Sequence, residues 1–120
     1  MKVHRTLGPG YLESVYVNAV AHEITKLGLS FSLQTPLKVN YDGVIVGTYI
    51  ADIVVEGELI VELKAIQMLT KAHEAQLVNY LTTTGIEFGL LLNFGSQSLD
   101  CRRKSRTYRP PHSKNSVNSV

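Results

Sequence analysis

An α/β fold, one domain in the order αβββαβ, is what these 120 residues predict. Two patterns carry that expectation: apolar residues at helical spacing over 10–27 and again over 71–81, and β-rich runs between and after them, separated by tight-turn dipeptides. With 44% hydrophobic content the chain has room for one core and no second domain.

In the first helix, Leu12, Val15, Tyr16, Ala19, Val20, Ile24 and Leu27 form the apolar stripe, and Gly28 is placed to end it. At about 100° per residue Glu23 falls inside that stripe and Glu13 on its edge, so both acids are expected to face inward or nearly so. Tyr16 reads as core. A loop is expected up to Thr35-Pro36. Leu37, Val39 and Tyr41 then alternate with polar residues, and Asp42-Gly43 signals a hairpin into a strand running to Val55. Glu56-Gly57 turns the chain into a third strand, Leu59 to Ile66. The apolar density from Thr48 to Val55 and from Leu59 to Ile66 predicts burial on both faces. Thr70 can cap the second helix, which ends near Gly85. Leu77, Val78 and Leu81 give its core face, with His73, Gln76 and Tyr80 beside it at i, i+3 and i+7. A strand follows over Glu87 to Phe94, and a short one over Ser98 to Arg103. Residues 1–108 are expected to form the domain and 109–120 a disordered basic and polar tail.

Charge is distributed unevenly. Residues 1–100 hold all ten acids against six basic residues (Lys2, Arg5, Lys26, Lys38, Lys64, Lys71); the last twenty hold Arg102, Arg103, Lys104, Arg106, Arg109 and Lys114 with no acid. An acidic body does not attract a polyanion, so nucleic-acid affinity would have to come from a bound cation, the basic tail or a partner protein. The lone Cys101 excludes an internal disulfide, which fits a cytoplasmic protein, and no run approaches the ~20 apolar residues of a membrane span.

The chemistry centres on Ala51-Asp52 followed ten residues later by Glu62-Leu63-Lys64. Residues two apart on a strand share a face, so Glu62 and Lys64 are neighbours. The place of Asp52 depends on the turn. A two-residue loop at Glu56-Gly57 pairs Asp52 with Val61 and turns Glu62 to the other side; a three-residue loop through Glu58, with Gly57 left-handed, sets Asp52 opposite Glu62. In the second case two carboxylates meet on a buried face, where a cation can neutralise them. Mg²⁺ or Mn²⁺ suits such a set, with Asp52, Glu62 and the Leu63 backbone carbonyl as ligands and waters completing an octahedron. Lys64 is then placed to orient a nucleophile or to stabilise the charge of a phosphoryl-transfer transition state. In the alternative, Asp52 caps a turn and Glu62 pairs with Lys64 in solvent.

Gly10-Tyr11-Leu12-Glu13-Ser14-Val15-Tyr16 resembles the signature of the GxxExxY family of small bacterial proteins. The stretches Val3 to Gly10, Ala51-Asp52, Val61 to Ala65, His73 to Leu77, Asn79 to Leu81 and Leu92 to Gly95 are similar to that family's blocks, over residues 3 to 104. The family is grouped with the PD-(D/E)xK nucleases, and Gln76-x-x-x-Tyr80 is similar to the helix of RecB-type members. Ala51 stands where the superfamily's name has Pro. Members carry a further helical segment before the Val3 block, and this chain starts two residues ahead of it, so a first helix with weakened support is expected. The resemblance implies a restriction-endonuclease-like domain, its central mixed sheet flanked by helices. It implies Asp52 and Glu62 as metal ligands, Lys64 as the catalytic lysine and Glu13 as an acid completing the site, with Gln76, Tyr80 and His73 lining it. The activity implied is Mg²⁺- or Mn²⁺-dependent cleavage of nucleic acid, DNA rather than RNA. A binding module that keeps the fold without turnover is the alternative. An exposed sheet edge leaves room for a homodimer.

Overall fold

The computed structural model describes residues 1–107; the predicted tail, and with it Tyr108, lies outside the described residues. The elements are α1 (Lys2–Leu7), α2 (Glu13–Lys26), β1 (Phe31–Tyr41), β2 (Val44–Val55), β3 (Leu59–Lys64), α3 (Lys71–Thr84), β4 (Phe88–Asn93) and β5 (Asp100–Ser105). The strands form one sheet in the order β1-β2-β3-β4-β5. All neighbours are antiparallel except β3 and β4, which run parallel because α3 carries the chain across between them. This is the mixed sheet of a restriction-endonuclease-like fold. Among the described residues no helix is long and apolar enough to cross a membrane.

Each face of the sheet has its own core. On one side Tyr16, Val17, Val20 and Ile24 of α2, with Val3 of α1, pack on Ile53, Val55, Val61, Leu63, Leu92 and Phe94. On the other, Leu77 and Leu81 of α3 and the preceding Leu69 pack on Ala51, Val54, Ile60 and Leu91. From Ala51 onward β2, and β3 after it, contribute buried residues to both cores, whereas Val44, Ile45, Val46 and Ile50 in the first part of β2 are exposed despite their apolar density. Tyr16 is fully buried, stacked on Phe94 at 4.6 Å between ring centroids, and its hydroxyl donates to the Gly8 carbonyl at 2.6 Å.

Several boundaries differ from expectation for identifiable reasons. The segment Lys2–Leu7 is helical, though six residues are too few to show a period; Val3 and His4 are buried, and His4 Nε2 lies 3.0 Å from the Ser96 carbonyl. β1 begins at Phe31 and runs through Pro36, because β1 is an edge strand and an edge tolerates a residue with no N–H to donate. β3 stops at Lys64 rather than Ile66. Beyond it the buried Asn93 side chain takes over the pairing: its Oδ1 accepts from Ile66 N at 3.1 Å and its Nδ2 donates to the Ile66 carbonyl at 2.9 Å. Next to it Gly95 lies against the same backbone, where an added Cβ would sit 2.2 Å from Ile66 O.

The predicted turns have the backbone they need. Asp42 and Gly43 are both left-handed, at φ 53° and 75°, as the tight β1–β2 hairpin requires. Gly28 (φ 77°) and Gly85 (φ 79°) follow the ends of α2 and α3. Thr70 caps α3 in a reciprocal box, accepting from the His73 N–H while its own N–H donates to His73 Nδ1 at 2.9 Å.

Asn93→Ala leaves both half-buried polar groups of Ile66 without their partner and is expected to cost about 2–3 kcal/mol in urea unfolding. Gly95→Ala, which forces backbone apart, is expected to cost more than Asn93→Ala in the same measurement.

Candidate active site

The site begins at the β2–β3 turn. Val55 pairs with Leu59 across three residues, Glu56-Gly57-Glu58, with Glu56 at φ 55° and Gly57 at φ 68°. The register that follows, Ile53 opposite Val61, sets Asp52 opposite Glu62. There the ladder ends and the side chains take its place. The Asp52 N–H donates to Glu62 Oε1 at 3.0 Å, and the Leu63 N–H donates to Asp52 Oδ2 at 2.9 Å. Each carboxylate therefore holds a backbone donor of the opposite strand.

The other neighbour of Asp52 is also irregular. Pairing with β1 passes from Leu33–Ile53 to Thr35–Ala51 without a shift of register; Gln34 and Asp52 are both unpaired between them, and Gln34 has φ 47°. Across this break β2 changes face: Ile53 and Val55 pack toward α2, whereas Ala51 and Tyr49 pack toward α3. Interruptions of this kind re-aim side chains beside functional sites.

Facing α3 is a cavity of about 210 Å³ lined by Tyr49, Glu62, Lys64, His73, Gln76, Leu77, Tyr80 and Leu91. It has room for several waters, and so for a hydrated ion beside a phosphate group. Asp52 does not line it and is joined to it through the bonds to Glu62 and Leu63. His73 lines the wall with its Nδ1 already committed to the α3 cap, which leaves the ring proton of the neutral form on Nε2. Gln76 is exposed, and Tyr80 is half-buried.

Burial pushes the Glu62 carboxyl up from its ordinary 4.5 to about 7; the Tyr49 hydroxyl and the Asp52 backbone N–H oppose that rise, the Asp52 carboxylate adds to it, and Lys64 opposes it. Burial likewise raises the Tyr49 hydroxyl above its usual range, with Glu62 adding to the effect. Tyr49 stacks on Tyr80, ring centroids 3.8 Å apart and planes 10° from parallel.

Glu13 is not brought to this cavity. It stands exposed in the first turn of α2, the helix that covers the opposite face, and residues 10–15 are all exposed, so its turn lies outside the core. Leu12 and Leu27, at the two ends of the predicted stripe, are also exposed. Glu23 is half-buried and pairs with Lys26 at 3.4 Å instead of facing the core. Periodicity fixes the direction of a side chain around the helix axis but not where along that axis the packing stops. Tyr49 is the wall residue that strand alternation misses. Counted back from Asp52 in steps of two, it belongs on the other face; only the break at Gln34 brings it round.

The basic residues near the C-terminus are not all tail. Arg102 and Lys104 of β5 reach the Glu74 carboxylate of α3 at 2.7 and 2.5 Å, and Arg102 also binds Asp100 at 2.7 Å. The neighbouring Lys104 and Arg102 hold Glu74 below its ordinary range.

A family model for the PD-(D/E)XK nuclease superfamily matches residues 1–104. The chain belongs to that superfamily. No curated protein matches it. Among solved structures it is similar to the crystal structure of an alkaline exonuclease, LHK-Exo, from Laribacter hongkongensis, with a TM-score of 0.50 and 13% identity. That match covers 78% of this chain and 56% of the other, so the chain spans little more than half of that protein's length. The likeness is one of fold.

Superfamily nucleases generally use divalent metals. Among the described residues no three His, Cys, Asp or Glu side chains converge as a metal cluster. What Asp52 and Glu62 offer is two carboxylates, each with one oxygen on a backbone N–H and a second outside that bond, and Glu62 is half-buried in the cavity wall. That donor set, with the Leu63 carbonyl, fits a hard ion that keeps several waters.

The sign of the Glu62 shift gives a pH dependence for the metal-free protein. The folded state holds this proton up to about pH 7 while the unfolded state loses it near 4.5, so the group's contribution to stability is full below 4.5 and falls between 4.5 and 7. The loss amounts to about 3 kcal/mol. Glu62→Gln is expected to be more stable than wild type above pH 7 and to lose that advantage near pH 4.5. Urea unfolding of both proteins at the two pH values checks it; an advantage that does not change with pH would sink the assignment.

Proposed function

We propose that the chain is a divalent-metal-dependent phosphodiesterase acting on nucleic acid, belonging to the GxxExxY grouping of its superfamily, with DNA as the first substrate to test. One observation carries the reading: Asp52 and Glu62 are interlocked across β2 and β3 through reciprocal bonds to backbone N–H groups, with Lys64 beside Glu62 in the same cavity wall.

In this reading Asp52, Glu62 and the Leu63 carbonyl hold Mg²⁺ or Mn²⁺. Such an ion, when bound, polarises a phosphoryl oxygen and lowers the pKa of a coordinated water. The chain's own groups do the rest. Lys64 brings a positive charge to the phosphate, where charge grows in the transition state, and restricts the approach of the attacking water. Gln76 offers an amide that can donate to a phosphate oxygen, and His73 an Nε2–H. Leu77 and Leu91 keep bulk water from the inner wall, which strengthens each of these interactions. The position of Glu13 favours the second reading, a binding module that keeps the fold without turnover, since the acid expected to complete the site is exposed elsewhere.

Cleavage of single- and double-stranded DNA and RNA, with Mg²⁺ and with Mn²⁺, separates the two. Metal-dependent cleavage by the wild type is expected, with Glu62→Gln and Lys64→Ala each lowering the rate by about 100-fold or more at unchanged circular dichroism, and Glu13→Gln leaving it unchanged. A folded wild type that cuts none of the four polymers would overturn the nuclease reading in favour of a domain that keeps the fold without turnover.

A further inference from the structure

We infer that Tyr49 is a positioning residue of the Asp52–Glu62 site: its ring, clamped on Tyr80, holds its hydroxyl beside the Glu62 carboxyl and fixes the orientation in which that carboxylate takes a cation. The inference rests on the metal-site reading proposed above and adds to it a residue from outside the Asp52, Glu62–Lys64 and Gln76/Tyr80 motifs.

Three observations support it. First, Tyr49 reaches this side of the sheet only because β2 changes face at Asp52, opposite the left-handed Gln34. Asp52 is thus both the residue at which pairing with β3 stops and the point past which β2 presents Tyr49 to the α3 side. Second, the ring has little freedom. Its face lies on Tyr80 at 3.8 Å and 10°, so β2 is tied directly to the α3 helix that carries Gln76. Third, Tyr49 stands in the wall of the cavity that Glu62 and Lys64 line. The buried Tyr16 places its hydroxyl on the Gly8 carbonyl and the Tyr11 N–H, far from any charged group of the site. A carboxylate already committed to a backbone N–H through Oε1 has one further oxygen to aim, and a hydroxyl held by a fixed ring is suited to aim it.

Tyr49→Phe separates the two roles of the residue, because it keeps the ring and its stack and removes only the hydroxyl. Binding of Mn²⁺ to the metal-free protein, followed by electron paramagnetic resonance, is the readout, with circular dichroism and urea unfolding as controls for folding. Tyr49→Phe is expected to weaken Mn²⁺ binding about tenfold, in the range seen when a group orienting a metal ligand is removed. Tyr80→Leu, which frees the Tyr49 ring but leaves its hydroxyl, is expected to weaken it by a smaller factor. A Tyr49→Phe protein that binds Mn²⁺ as tightly as wild type would overturn the assignment and leave the metal site standing. A folded wild type that binds no Mn²⁺ would overturn the metal site and the assignment together.

Discussion

Where β2 and β3 cease to pair as backbone, two carboxylates hold them together. The N–H groups of Asp52 and Leu63 lie between buried residues, and without an acceptor each would cost about 1–3 kcal/mol. Glu62 and Asp52 supply the acceptors, each from the strand opposite the donor. The exchange brings two acids to within a single strand spacing, which no solvated sheet surface would favour. It also requires the three-residue turn at Glu56-Gly57-Glu58, since a register one residue away would send Glu62 to the α2 side. Turn, register and site are therefore one constraint.

A carboxylate inside a sheet has to be offset by its neighbours. The rise of Glu62 to about 7 corresponds to about 3 kcal/mol against the charged form, while each fully buried Leu or Ile contributes roughly 1.5–3 kcal/mol. Ile60 and Leu91 are both fully buried on the same side of the sheet, and Leu77 nearly so. One or two such side chains cover the cost. The apolar character of the paired part of β2 and β3 thus does more than mark central strands, because it lets the sheet carry an acid that its neighbours only partly compensate.

The order of elements was legible because each spans several periods of its own pattern, and the turns were legible because left-handed backbone demands Asp-Gly or Gly. The register of Asp52 and Glu62 could be narrowed to two alternatives, and only the geometry of the turn decided between them. Glu13, Tyr49 and α1 were illegible for different reasons. An angular period says nothing about where along its axis a helix leaves the core, which misplaced Glu13. A period of two fails at one left-handed residue, which hid Tyr49. Six residues contain fewer than two helical turns, so α1 had no pattern to read, although its Val3 and His4 are buried against the α2 side. In each case the missing information was a contact between segments distant in sequence.

The charges of β5 bear on how such a domain would meet a polyanion. The described residues carry ten Lys and Arg, the six before residue 100 together with Arg102, Arg103, Lys104 and Arg106, against ten Asp and Glu, a net charge of zero with His neutral. Arg102 and Lys104 are moreover bound to Glu74, so these two residues of the basic run face α3 and tie the helix to the sheet, while Arg103 is exposed and Arg106 pairs with Glu87. Field strength at the cavity then depends on Glu62 and Lys64 in its wall and on Asp52, joined to Glu62 just outside it. Under the proposed reading a divalent cation would turn that point from net negative to net positive, and the attraction for a phosphate would arise at the place where the bond is to be cut. Affinity and catalysis would share one charge, and a domain this small would have little hold on nucleic acid without it.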